Sequence, residues 1–253
     1  MKAEKKTKRD ISLIIILLIW ALVLAGVVFI TLRTSAVYAS NGKLPVYCVE
    51  SEKKEAALTF NCAWDDTGLD SLLELLREEN IKCTFFFVGT FADEYPEAVR
   101  KIHNDGHEIA NHSMKHSDPV KQQFSEIVSD INACNELLYS LTGVRPVLYR
   151  APSGSYDEKT VEAAQSLGLT AVQWDVDSID WKDPEKEKII SRVTDKVTNG
   201  SIILFHTGKR NTLEAMPSVI EELQKEGYSL VRVSDMLLYG ETYLDNTGRQ
   251  RSR

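Results

Sequence analysis

The chain has 253 residues, 43% of them hydrophobic, and a formal net charge of −7. That length supports one domain with its own core, and the acidic balance excludes nucleic acid as the main partner, because phosphate-binding surfaces are basic. Four scattered cysteines, Cys48, Cys62, Cys83 and Cys134, include no C-x-x-C pair, which excludes a zinc ribbon or a thioredoxin motif.

In chain order, the first element is a basic flank, residues 1–10, followed by 22 residues, Ile11 to Leu32, without a charge. Such a run is long enough to cross a bilayer as a helix, and the lysines and arginine before it place the N-terminus inside. The segment is expected to be a single-pass membrane anchor with the rest of the chain outside. If it is instead cleaved as a signal peptide, at the small residues "VYA" before Ser40, the domain is secreted. Residues 33–54 read as a linker, 55–238 as the folded domain and 239–253 as a polar tail.

Within the domain, short apolar runs alternate with amphipathic segments. The runs are "AALTF", "CTFFFV", "HEIA", "PVLYR", "TAVQWDV", "SIILF" and "YSLVRV", and segments such as "LDSLLELLREE" and "LEAMPSVIEELQKEG" lie between them. Strand–helix alternation implies an α/β fold with a parallel sheet. About seven units in so short a span favour a small, distorted (β/α) barrel, whose chemistry belongs at the C-terminal ends of the strands.

The residues at those ends are polar. They are "NCAWDD" after the first run, "NHSMKH" after the third, "RAPSGSYD" after the fourth, "WDVDSIDW" after the fifth and "FHTG" after the sixth. His112 and His116 stand i, i+4, a spacing that puts two imidazoles on one side of a helical turn for a metal. With an Asp as third ligand, zinc would keep an open position and make hydroxide available near neutral pH. His206 could protonate a leaving amine, Asp177 could orient that imidazole, and Arg150 could hold a carboxylate. His103 and His107 share the i, i+4 spacing but flank Gly106 and read as surface residues.

These motifs, in this order from about Ala56 to Leu238, resemble the polysaccharide deacetylase family, with its NodB homology domain (carbohydrate esterase family 4). The resemblance implies a distorted (β/α) barrel that holds a divalent metal, usually zinc, and removes N-acetyl groups from amino sugars of cell-wall polysaccharide such as peptidoglycan or chitin. It gives His112 and His116 as metal ligands and His206 as general acid. Arg150, Pro152, Ser153 and Gly154 would wall the groove, with the Ser153 N–H stabilising an oxyanion. Asp177 and Trp181 match the fourth motif, and Trp181 would line an acetyl pocket with Leu204.

The first motif departs from the family pattern T-F-D-D-G. Aligned without a gap, Asn61 stands on the catalytic base and Cys62 on a metal ligand. An Asn has no proton-accepting capacity at neutral pH, whereas a Cys with two His can bind zinc. With "NCAW" inserted, Asp65 becomes the base and Asp66 the third ligand. Both alignments stand at this point. The alternative to an active enzyme is a catalytically impaired homologue that binds cell-wall glycan without hydrolysing it.

Overall fold

The computed structural model describes residues 43–253; the expected membrane-spanning run, 11–32, lies outside them. The central strands are β1 (Cys48–Val49), β2 (Glu55–Cys62), β3 (Thr84–Phe87), β4 (Glu108–Asn111), β5 (Leu148–Tyr149), β6 (Thr170–Ala171), β7 (Val176–Asp177), β8 (Ser201–His206) and β9 (Ser229–Leu230). Strands β8, β2, β3, β4, β5 and β6 lie side by side in that order, all parallel, with β7 pairing β8 and β9 pairing β2. The sheet curls towards closure through the segment before β1. Val46 bridges Val172 beyond β6, while Cys48 pairs antiparallel with Ser201 at the start of β8. The result is an imperfect α/β barrel, as the alternating pattern implies.

Two stretches differ from the sequence reading. Residues 46–49 carry barrel pairings instead of acting as a linker. The polar tail folds into a hairpin of β10 (Thr242–Leu244) and β11 (Arg249–Ser252), and β11 pairs with β1. Polar composition conceals this hairpin. It is held by main-chain bonds and by Asp245, which accepts from Thr247, Arg249 and Arg251, not by an apolar face that periodicity would reveal.

Side-chain alternation along the strands divides the core. On β2, Leu58, Phe60 and Cys62 join Phe85, Phe87, Ile203 and Phe205 under the outer helices. Those helices include α1 (Leu69–Glu78), α2 (Gly89–Glu94) and α3 (Pro96–Asn104), followed by α4 (Phe124–Thr142). Ala57, Phe86, Ala110, Leu148 and Ile202 instead fill the barrel interior. The heptad-like spacing of "LDSLLELL" works as expected: Leu69, Leu72, Leu73 and Leu76 are the buried face of α1.

Candidate functional site

The same alternation decides what reaches the barrel mouth. Every second side chain along a strand faces the same way, so Ala57 predicts Asn61 four residues on, Ala110 predicts His112 two on, Leu148 predicts Arg150 two on and Ile202 predicts His206 four on. All four are buried at the C-terminal ends of their strands, and Asn61 stands opposite His206 in the β2–β8 register. Cys62, one residue out of phase, faces the helices. Its thiol is fully buried among the side chains under the helices, and that burial pushes its pKa up to about 12. At the end of β2 the inward side chain is thus Asn61, opposite His206.

Arg150 is fully buried. Its Nη1 donates to Asn61 Oδ1 at 3.0 Å, its Nη2 donates to the Gln173 carbonyl at 3.0 Å, and its Cζ sits 3.9 Å from the centre of the Phe86 ring. Among the described residues no carboxylate forms an ion pair with this guanidinium, and burial lowers its pKa to about 9. The Arg150 Nε and the side-chain amide of Gln173 are buried without partners.

His112 and His116 are brought together, though not on a helix. The loop after β4 carries Ser113 at φ 71° and His116 at φ 56°, and it is tied from several sides. Ser113 N donates to Asn111 Oδ1, His116 N to Ser113 Oγ and Met114 N to Asp130 Oδ2 on α4. Gly89 at the start of α2 backs this loop: a Cβ there would lie 2.2 Å from the Met114 sulfur. The two imidazole centres end 5.0 Å apart. His112 Nδ1 lies 2.8 Å from the Arg150 carbonyl, and its Nε2 is buried without a partner. Burial, then the neighbouring His116, holds the His112 pKa well below the usual imidazole value, so the ring is neutral.

His206 is oriented by Asp180, not by Asp177. Asp180 Oδ1 lies 2.7 Å from His206 Nδ1, while Oδ2 accepts from His206 N at 2.8 Å and from Thr212 Oγ1 at 2.7 Å. Asp177 instead accepts from Ile179 N within its own turn. Both acids are legible in "DVDSIDW"; choosing between them requires the turn, in which Ile179 adopts φ 57° and swings Asp180 under β8. Trp181 stands at the rim, 45% exposed, whereas Leu204 is buried on β8 opposite Asp177. Pro152, Ser153 and Gly154 form a short turn after β5, with Ser153 exposed at φ 55°.

Asp65 and Asp66 do not join the histidines. Asp65 accepts from Thr67 N at 2.9 Å and packs against Gly208, where a Cβ would meet its Oδ1 at 2.8 Å. Asp66 is exposed.

Residues 49–172 match the family described as polysaccharide deacetylase. A peptidoglycan-N-acetylglucosamine deacetylase of Bacillus cereus is 31% identical over 196 residues, which cover 76% of this chain and 92% of that protein. The chain belongs to the polysaccharide deacetylase family. The uncharacterized protein YlxY of Bacillus subtilis is 32% identical over 193 residues, 76% of this chain; the match spans only 60% of YlxY. Among solved structures, a family pseudoenzyme from Bacillus anthracis superposes with a TM-score of 0.74 at 30% identity, covering 76% of this chain and 68% of that one. A mutant of that pseudoenzyme, described as having restored enzymatic activity, superposes equally well.

Against a polysaccharide deacetylase metal site, the fit is partial. The unpartnered His112 Nε2 beside His116 supplies two nitrogen donors. Among the described residues, however, no third His, Cys, Asp or Glu groups with them. Inward-facing Asn61 is neutral, Cys62 faces the helices, and Asp65 and Asp66 are engaged or exposed. The expected set of Asp66, His112 and His116 is not assembled, and zinc has no complete seat in this geometry.

Proposed function

We propose that this chain recognises N-acetylated amino-sugar glycan of the bacterial cell wall, and that hydrolysis of the acetamide is impaired at its own site. The carrying observation is the Arg150–Asn61 hydrogen bond. The inward position that the family resemblance assigns to a base is filled by a neutral amide already committed to Arg150. An amide accepts no proton at neutral pH, so general-base assistance from that position is lost. Other residues of the mouth support recognition of the glycan. His206 is held by Asp180 for proton donation to a leaving amine, and the Ser153 turn, Trp181 and Leu204 are disposed to border an acetylated sugar. The similarity to deacetylases of peptidoglycan supports the substrate class, and the similarity to a family pseudoenzyme supports the impairment. An N-terminal anchor at residues 11–32, with the domain outside the membrane, would place it beside that substrate.

The test is acetate release from an N-acetylglucosamine tetramer by the wild-type chain and by Asn61→Asp. Little or no release by wild type, with tetramer binding intact and release raised in Asn61→Asp, is the expected result. Rapid release by the wild type would overturn the impairment.

A second reading, an active metal-dependent deacetylase, is favoured by the buried, unpartnered Nε2 of His112. It requires Asp65 or Asp66 to leave its present surroundings and complete the donor set. Zinc- or cobalt-dependent release that is abolished in His112→Ala and in one of the two Asp→Asn variants would establish it.

A further inference from the structure

We propose that Trp64 is a sugar-stacking residue, taking the apolar face of a pyranose ring and holding the glycan beside His206. This rests on the glycan-recognition reading above and adds to it the residue that binds the ring. Trp64 follows β2 in the loop over the mouth and is 46% exposed, although its side chain is among the largest apolar groups available. It belongs to none of the hydrophobic clusters; its loop is anchored instead by Ala63 and Leu69. A packing role therefore does not account for it.

Its ring centre lies 4.9 Å from that of His206, with the planes inclined by 47°. His206 is only 9% exposed and is held through Nδ1 by Asp180. A sugar presented to His206 therefore meets the adjoining indole. The C–H face of a pyranose is apolar and weakly electropositive, which suits the electron-rich face of an indole. A cation already samples that surface: the Lys209 ammonium lies 4.3 Å from the indole centre. A lysine on its four-carbon stem is well hydrated and mobile, so an incoming ring can displace it. Trp181, directly after the Asp180 that orients His206, repeats the arrangement. It is 45% exposed, with the Lys182 ammonium 4.7 Å from its ring. Two exposed indoles, each covered by a neighbouring lysine and not by apolar packing, thus adjoin the His206–Asp180 pair.

The test is calorimetric titration of the full-length chain in detergent with an N-acetylglucosamine tetramer. Trp64→Ala is expected to weaken binding by about tenfold or more, and Trp64→Phe, which keeps an aromatic face, by less than about threefold. Indole emission should change on saturation, and the part of that change due to Trp64 should vanish in Trp64→Phe. Equal affinity of wild type and Trp64→Ala overturns the proposal while leaving glycan recognition standing. Wild-type chain that binds no tetramer overturns the recognition itself, and the stacking role with it. If Trp64→Ala does not fold, an emission change identical in wild type and Trp64→Phe overturns the stacking role.

Discussion

Arg150 donates to Asn61 at 3.0 Å in the barrel mouth, both side chains are buried, and among the described residues the acceptors of the guanidinium are the neutral Asn61 amide and the Gln173 carbonyl. A buried cation with only neutral acceptors is under-compensated, and a carboxylate in place of the amide would make a charge-assisted bond. Asn61→Asp is therefore expected to stabilise the domain by about 1–3 kcal/mol near neutral pH. Asn61→Leu, which leaves the guanidinium short of an acceptor, is expected to destabilise it by at least as much. Urea unfolding of the three proteins checks this; an Asn61→Asp protein no more stable than wild type would contradict it.

The assignment of Asp180 as the partner of His206 separates two nearby acids. Asp180→Ala removes the acceptor of His206 N, His206 Nδ1 and Thr212 Oγ1 together, with an expected loss of about 2–4 kcal/mol. Asp177→Ala removes one turn bond to Ile179 and should stay within about 1 kcal/mol. Nitrogen shifts of the His206 ring by NMR should move in Asp180→Asn and remain in place in Asp177→Asn. The opposite pattern would return the role to Asp177.

The incomplete donor set makes a prediction about metal. Zinc should bind the wild-type chain much more weakly than it binds complete structural sites, which reach about 10–16 kcal/mol. Both His112→Ala and His116→Ala should abolish what binding there is. Cys62→Ser should leave it unchanged, because that side chain faces the helices. Calorimetry with zinc alone reads all three. Loss of binding in Cys62→Ser would mean that β2 shifts by one residue when metal is present.

Acid stability should report His107. This residue, which the sequence suggests is exposed, is buried; its Nδ1 accepts from Cys83 N at 3.1 Å, and burial lowers its pKa to about 4. The unfolded chain takes up this proton near pH 6.5, so stability from this group is present above that value and is lost as pH falls towards 4. The loss approaches about 3 kcal/mol at the acid end. His107→Gln should flatten the fall of urea midpoint between pH 6.5 and 4. An unchanged slope would show that other groups govern it.

Much of this was legible from residue order. Alternating runs and helices imply the barrel, and the strand-end rule gathers His112, Arg150 and His206 from residue order alone. The identity of the first-motif residue was legible too, had the two-residue period been carried from Ala57 through Thr59 to Asn61; it removes Cys62 at once. Other features were not. Asp180 reaches His206 only because Ile179 takes a left-handed turn, and β-branched residues give no sequence signal for that conformation. His107 stands beside Gly106 and reads as a surface residue, and only the pairing of β3 with β4 brings it against Cys83. The β10–β11 hairpin carries no apolar stripe from which it could be inferred.

Ser113, His116, Ser153 and Ile179 all hold positive φ angles in the loops around the mouth. Each such conformation costs about 1 kcal/mol or more in a residue other than glycine. Replacement by glycine would relieve it, least disruptively at exposed Ser153. The rim is thus set in advance into a shape its own backbone resists, so a ligand that fits finds it already formed and loses little entropy on arrival. Engineering this domain for heat resistance by relaxing those turns should trade away affinity in step, leaving a sturdier barrel with a blunter mouth.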